Sequence, residues 1–164
     1  MTAIRSILAG VGGYLPERIV TNNELARELE TSDLWIRERT GIRQRHIAGP
    51  RETAAFMGTE AARAALADAG AEHTEVDAII LATSTPDQAF PATALRVQAA
   101  LGVPGGFGFD LSAACAGFIY ALAGGDGTID QTISHCCGGY PICSTFRAIR
   151  SRAYSVSSEK GVEG

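Results

Sequence analysis

The stretch from Gly106 to Leu122, Gly-Phe-Gly-Phe-Asp-Leu-Ser-Ala-Ala-Cys-Ala-Gly-Phe-Ile-Tyr-Ala-Leu, constrains this chain more than any other. Phe107, Phe109 and Leu111 alternate as a short strand, and Phe118, Ile119 and Leu122 open an apolar helical pattern. Only small residues separate the two, so strand must turn directly into helix with Cys115 at the junction. The free amide N–H groups and positive dipole end at a helix start favour a thiolate. Ala113, Ala114, Ala116 and Gly117 leave the approach to the sulfur open. Cys115 therefore reads as a catalytic nucleophile at the N-terminus of a buried helix. The alternative is a structural cysteine acting as a small hydrophobe.

The rest of the first 122 residues supplies the layers around that junction. Ile4, Ile7, Leu8 and Val11 predict an N-terminal strand ended by Gly12-Gly13 and Pro16. Thr21-Asn22-Asn23-Glu24 has capping-box spacing, with Leu25 and Leu29 on the buried face of a short helix. A second helix is predicted from Ser32-Asp33 to Gly41, and Ile42–Ile47 alternates like a half-exposed strand. Glu52 to Ala69 is the clearest helix, closed by Gly70. Val76–Ala82 is a nearly continuous apolar strand, as expected where both sheet faces are covered. Thr83-Ser84-Thr85-Pro86-Asp87 follows at its C-terminal end, where ligand sites in α/β sheets lie. Phe90 to Leu101 reads as helix, ended by Gly102. This alternation predicts a layered α/β domain of βαβαβ type.

Beyond Leu122 the pattern fails. The helix opened at Cys115 meets Ala-Gly-Gly-Asp-Gly, where each glycine costs roughly 1 kcal/mol in a helix interior. From Thr128 to Gly164 no sustained period of either kind is legible. The expected division is a half-domain over 1–122 and a divergent, irregular tail over 123–164.

The chain has 164 residues and a net charge of −4 with both signs interspersed, which gives no footprint for nucleic acid or a membrane surface. No apolar run reaches the ~20 residues of a membrane helix, and no secretory leader is legible. A cytoplasmic setting is expected, with Cys115, Cys136, Cys137 and Cys143 reduced. His135-Cys136-Cys137 and Cys143 lack paired C-x-x-C spacing, so no metal site is expected. Asp126-Gly-Thr-Ile-Asp130 lacks the ligands of a calcium loop. Gly10-x-Gly12-Gly13 follows a strand pattern, but Tyr-Leu-Pro cannot open the helix a dinucleotide fingerprint needs.

Taken together, several runs resemble β-ketoacyl-acyl-carrier-protein synthase III, the initiating condensing enzyme of type II fatty acid synthesis. They are Gly12–Pro16, Trp35-Ile-Arg-Glu-Arg-Thr-Gly-Ile42, Arg45-His-Ile-Ala48, Thr83–Asp87, Phe90-Pro-Ala92 and Asp110-Leu-Ser-Ala-Ala-Cys-Ala-Gly-Phe118. The resemblance covers residues 1 to about 122. It implies the N-terminal half of a thiolase-like fold, in which two similar halves sandwich a pair of buried helices, usually in a homodimer. Cys115 would take an acyl group from acyl-coenzyme A. Malonyl-acyl-carrier protein would then decarboxylate, and its carbanion would attack the thioester; acyl-coenzyme A is a substrate, and no cofactor is implied.

By the same resemblance Trp35 stacks on the adenine of coenzyme A, Arg39 serves its phosphates, and Thr31 is a third position there. Phe90 reaches across the dimer to shape the neighbour's acyl pocket. Arg37 lies in the motif without an assigned contact. The decarboxylating histidine and asparagine belong to the family's second half. None of His46, His73 and His135 has a matching context, so the 164-residue chain is expected to be impaired alone. A shifted reading frame would account for the abrupt loss of pattern after Leu122. Competing readings are a polyketide-type ketosynthase, a hydroxymethylglutaryl-coenzyme A synthase, and a non-catalytic fragment or half-domain that binds coenzyme A or pairs with another subunit.

Overall fold

In the computed structural model of the chain, residues 7–128 are described, together with the backbone of residues 134–138 and 143–147. The first elements form a small outer layer. β1 (Arg18–Thr21) runs into the single-turn α1 (Asn22–Leu25), where the Thr21 hydroxyl accepts from the Glu24 amide at 3.2 Å. The Glu24 carboxylate lies 3.8 Å from the Arg18 guanidinium. α2 (Asp33–Thr40) starts with the Ser32 hydroxyl accepting from the Trp35 amide. β2 (Gln44–Ile47) pairs antiparallel with β1. Buried Asn22 ties these pieces together: its amide donates to Asp33 (2.9 Å) and the Ile42 carbonyl (2.7 Å), and its oxygen accepts from Arg45 (2.8 Å). A buried polar side chain is stable there because its hydrogen bonds are made.

The main layers come next. They are α3 (Ala54–Ala69), β3 (Ala78–Ala82), α4 (Thr93–Leu101), β4 (Phe107–Leu111), α5 (Gly117–Thr128), β5 (Ser134–Gly138) and β6 (Cys143–Arg147). Strand order is β4-β3-β5-β6; β3 is parallel to both neighbours, and β5 and β6 are antiparallel. All of β3 is buried. Ile79 and Leu81 join Ala61, Ala65, Ala94 and Val97 from α3 and α4, whereas Ile80 and Ala82 meet Ala121 of α5. The sheet thus carries helices on both faces, which is why β3 reads as a continuous apolar run. Gly41, Gly70 and Gly102 end α2, α3 and α4 in the left-handed conformation, as the sequence predicts.

Four expectations change. Residues 7–16 carry no regular secondary structure, where part of an N-terminal strand is predicted; Ile4 lies outside the described residues. The segment instead lies directly on α3: a Cβ at Gly10 would come within 2.5 Å of the Ala65 carbonyl oxygen, and one at Gly12 would overlap the Ala65 amide. The Val11 amide donates to Asp68 at 2.8 Å. α5 does not stop near Leu122 but runs to Thr128: Ala121 packs against Ile80 and Ala82 of β3, Gly125 is buried, and packing offsets the glycine penalty. α5 is also not buried all round, since Ile119 and Tyr120 are exposed. Finally, the tail read as irregular contributes β5, whose backbone pairs with β3, and β6, which pairs with β5: ladder bonds need only extended chain, so a segment without side-chain periodicity can still join the sheet. The rest of that tail, including Asp130, lies outside the described residues, as do the side chains of His135, Cys136, Cys137 and Cys143.

Candidate active site

The Cys115 turn is built from β4 upward. Gly106 enters the strand at φ 89°, and the Phe107 amide donates to the Asp77 carbonyl at 3.1 Å to start the ladder. Gly108 faces α4, where a Cβ would touch Leu95 and Ala94. Asp110, on the same face, accepts from the first two amides of α4, Thr93 at 2.7 Å and Ala94 at 2.8 Å. The ladder continues past β3 through the Thr83 amide on the Leu111 carbonyl at 2.9 Å. A 3-10 turn over Ala114–Ala116 then swings the chain into α5, closed by the Ala116 amide on the Ala113 carbonyl. Ala114 has φ 42°, the one positive φ outside glycine among the described residues. Such a conformation costs roughly 1–2 kcal/mol and needs the flanking structure to hold it. The free Cys115 thiol sits next to it and is exposed. Gly117 lets α5 start tight on the sheet, since a Cβ there would lie 3.0 Å from that of Ala82.

The other sequence-predicted residues divide between two places. Trp35 and Arg39 lie one turn apart on α2, with the guanidinium carbon 4.4 Å from the ring centroid. Trp35 is half exposed. Thr31, just before the Ser32 cap, has a buried hydroxyl oxygen with no hydrogen-bond partner. Arg37 is paired with Asp33 at 3.4 Å. Phe90 stands apart, 86% exposed on the segment between β3 and α4, and the Phe90–Pro91 bond is cis. Clefts on the described surface include one of about 620 Å³ beside Tyr14, Arg18, Glu52 and Phe56 and one of about 390 Å³ beside Leu34, Arg37 and Arg43. Neither is lined by Cys115, Trp35 or Phe90. Among the described residues no group of three His, Cys, Asp or Glu side chains is arranged to hold a metal ion.

Sequence reasoning assigned no role to the carboxylates that brace these segments. Asp87 accepts from the Ala54 and Ala55 amides at the start of α3 (2.6 and 3.1 Å) and from Arg96 at 2.9 Å. Its own amide donates to the Thr93 hydroxyl. Glu52 accepts from the Tyr14 hydroxyl (2.6 Å), the Glu17 amide (3.2 Å) and the Gly49 amide (2.6 Å), clasping two loops. The only local signal is an acidic residue near a helix start; Tyr14 and Glu17 lie more than 30 residues from Glu52, as do Ala54 and Ala55 from Asp87.

The Glu52 clasp carries a pH prediction. The hydrogen bond from Tyr14, then that from the Gly49 amide, holds the Glu52 carboxyl below its usual 4.5. The bond to Glu52 is also the largest cause that pushes the Tyr14 phenol up to about 12 from 10.0. A lowered carboxyl pKa means stabilisation present above about pH 4.5 and lost as pH falls through the folded value. A raised phenol pKa means stabilisation present below about pH 10 and lost as pH rises towards 12. Melting temperature against pH should therefore droop at both ends. Glu52→Gln should flatten the acid limb and Tyr14→Phe the alkaline one; unchanged limbs would remove the clasp as their cause.

No family model matches the chain. Curated relatives do: the β-ketoacyl-acyl-carrier-protein synthase III of Acidiphilium cryptum is 66% identical over 125 residues, 76% of this chain and 39% of the relative. The chain is homologous to part of a β-ketoacyl-acyl-carrier-protein synthase III. It spans about two fifths of the length of the curated relatives it matches and corresponds to their N-terminal part. The 3-oxoacyl-acyl-carrier-protein synthase III of Aquifex aeolicus superposes with a TM-score of 0.75 at 45% identity, over 80% of this chain and 44% of that one. The priming β-ketosynthase of the R1128 polyketide pathway superposes at 0.75 with 37% identity, over 84% and 43%. The fold is thus thiolase-like α/β, in the N-terminal part that the synthase III motifs led one to expect.

Proposed function

We propose that this chain carries the acyl-accepting part of a condensing enzyme that initiates fatty acid synthesis. The observation that carries the proposal is an exposed thiol at a strained strand-to-helix turn, in a chain 66% identical to a β-ketoacyl-acyl-carrier-protein synthase III. The Cys115 thiolate attacks the thioester carbonyl of acyl-coenzyme A, and the coenzyme A thiolate leaves. Malonyl-acyl-carrier protein then loses carbon dioxide, its carbanion attacks the Cys115 thioester, and the cysteine thiolate leaves as 3-oxoacyl-acyl-carrier protein forms. Splitting the reaction at a covalent intermediate replaces one hard step by two easier ones. The likeness to the R1128 priming enzyme supports a polyketide-type starter reaction as the second reading.

Trp35, Arg39 and the unpartnered Thr31 hydroxyl form the coenzyme A site in this reading, with the ring for adenine and the guanidinium for phosphate. Base–aromatic stacking is worth about 1–3 kcal/mol, so Trp35→Ala should raise the acyl-coenzyme A concentration for half-maximal labelling about tenfold. An unchanged value would move the nucleotide elsewhere. Phe90 and the stacked, exposed pair Phe107 and Phe109 on edge strand β4 support a homodimer, with Phe90 lining the neighbour's acyl pocket. No helix among the described residues is long and apolar enough to cross a membrane.

Incubation of the 164-residue chain with radiolabelled acetyl-coenzyme A tests the proposal. Label that survives denaturation and maps to the Cys115 peptide is expected. Adding malonyl-acyl-carrier protein should give little or no condensed product, because none of His46, His73 and His135 stands in the sequence context of the decarboxylating histidine, and His46 is held beside the Pro16 carbonyl. An unlabelled wild-type chain would overturn the acyl-accepting role.

A further inference from the structure

Asp110 stands at a crossing of two segments that the reading above makes functional. α4 begins after Ala92, which has no side chain able to cap it. The amides of Thr93 and Ala94 are therefore free donors, and each bonds a different oxygen of Asp110. Charge-assisted bonds of this kind are roughly twice as strong as neutral ones. Asp110 is five residues before Cys115 and one residue from the Leu111 carbonyl that closes the ladder on Thr83. On the other side, Thr93 is three residues after Phe90, fully buried, and its hydroxyl accepts from the Asp87 amide. Asp87 is in turn fixed to the start of α3. The Phe90 segment is thus pinned at one end by Asp87 and at the other by Asp110, and Asp110 is also the last side chain of β4 on the α4 face before the strained turn at Ala114.

We propose that Asp110 is a positioning residue that holds the Cys115 turn and the Phe90 segment in one fixed relation, rather than a helix cap alone. This rests on the acyl-accepting reading of Cys115. A cap that stabilises only α4 could be supplied from α4's own side, whereas a tether from the nucleophile strand cannot. Ala92 has φ −54° and ψ 141°, a geometry in which an aspartate could accept from the Ala94 or Leu95 amide. Ala92→Asp therefore restores a cap without restoring the tether.

The test compares wild type, Asp110→Asn, and the double variant Ala92→Asp/Asp110→Asn in the full 164-residue chain. Asp110→Asn is expected to lower the melting temperature, and the double variant to recover it. In the double variant, amide hydrogen exchange over residues 93–101 should return to wild type, while exchange over 111–117 stays at least about tenfold faster. Labelling by acetyl-coenzyme A should stay at least about tenfold slower, since small misplacements of a reacting group cost this much or more. Exchange and labelling both returning to wild type would reduce Asp110 to a helix cap and overturn the proposal. A wild-type chain that takes no label would overturn the acyl-accepting reading, yet exchange over 111–117 would still decide whether Asp110 tethers the turn.

Discussion

Cys115→Ser is expected to lower acyl transfer from acetyl-coenzyme A by at least about 10³-fold while leaving the melting temperature unchanged. The size follows from the nucleophile's chemistry. A thiol is partly ionised near neutral pH and intrinsically nucleophilic, whereas a serine hydroxyl needs an adjacent base. No histidine takes that role in the described turn: His46 has its Nδ1 against the Pro16 carbonyl, and His73 lies in the turn preceding β3. The fold should not suffer, because the thiol is exposed and the swap conserves volume. Denaturation-resistant label on the serine variant at the wild-type rate would place the acyl acceptor on another residue.

Gly106→Ala should destabilise the chain by about 3 kcal/mol or more, a large part of the ~5–15 kcal/mol that holds a domain folded. Two effects add. At φ 89° a side chain costs roughly 1–2 kcal/mol by itself. A Cβ there would also overlap the Asp77 carbonyl oxygen, the acceptor for the Phe107 amide that sets the register of β4 on β3. Relief would require the strand to move, and β4 leads into the Cys115 turn, so acylation should fall with stability. Gly105→Ala is the control, since a Cβ at Gly105 meets nothing within 4 Å. A urea midpoint lowered equally by both substitutions would show that chain entropy, not the overlap, sets the cost.

What could be read in advance was local. The left-handed stops at Gly41, Gly70 and Gly102, the hydroxyl cap at Thr21 and the helix start at Ser32-Asp33 depend on neighbours a few residues away. The same holds for the Phe107–Leu111 alternation and for Cys115 at the strand-to-helix junction. β1 went unread because four residues are too short for a period of two to stand out, and its pairing with β2 is non-local. The helix after Cys115 looked finished at Leu122 because propensity counts its glycines as a loss. Packing of Ala121 against Ile80 and Ala82 of β3 carries the helix on past them.

The sequence by itself determined the α/β alternation, the helix ends, the place of Cys115 at the strand-to-helix junction and, through its motif runs, the resemblance to synthase III. All of these are written within windows of a few residues, where periodicity and capping act. Only the tertiary structure decided that Gly10 and Gly12 lie against the backbone of α3. It alone decided that Ala114 is strained beside the thiol, and that Asp87, Asp110 and Glu52 brace loops from distant elements. A carboxylate chooses its amide partners by where the packed layers bring helix starts, and packing couples residues that no local period connects.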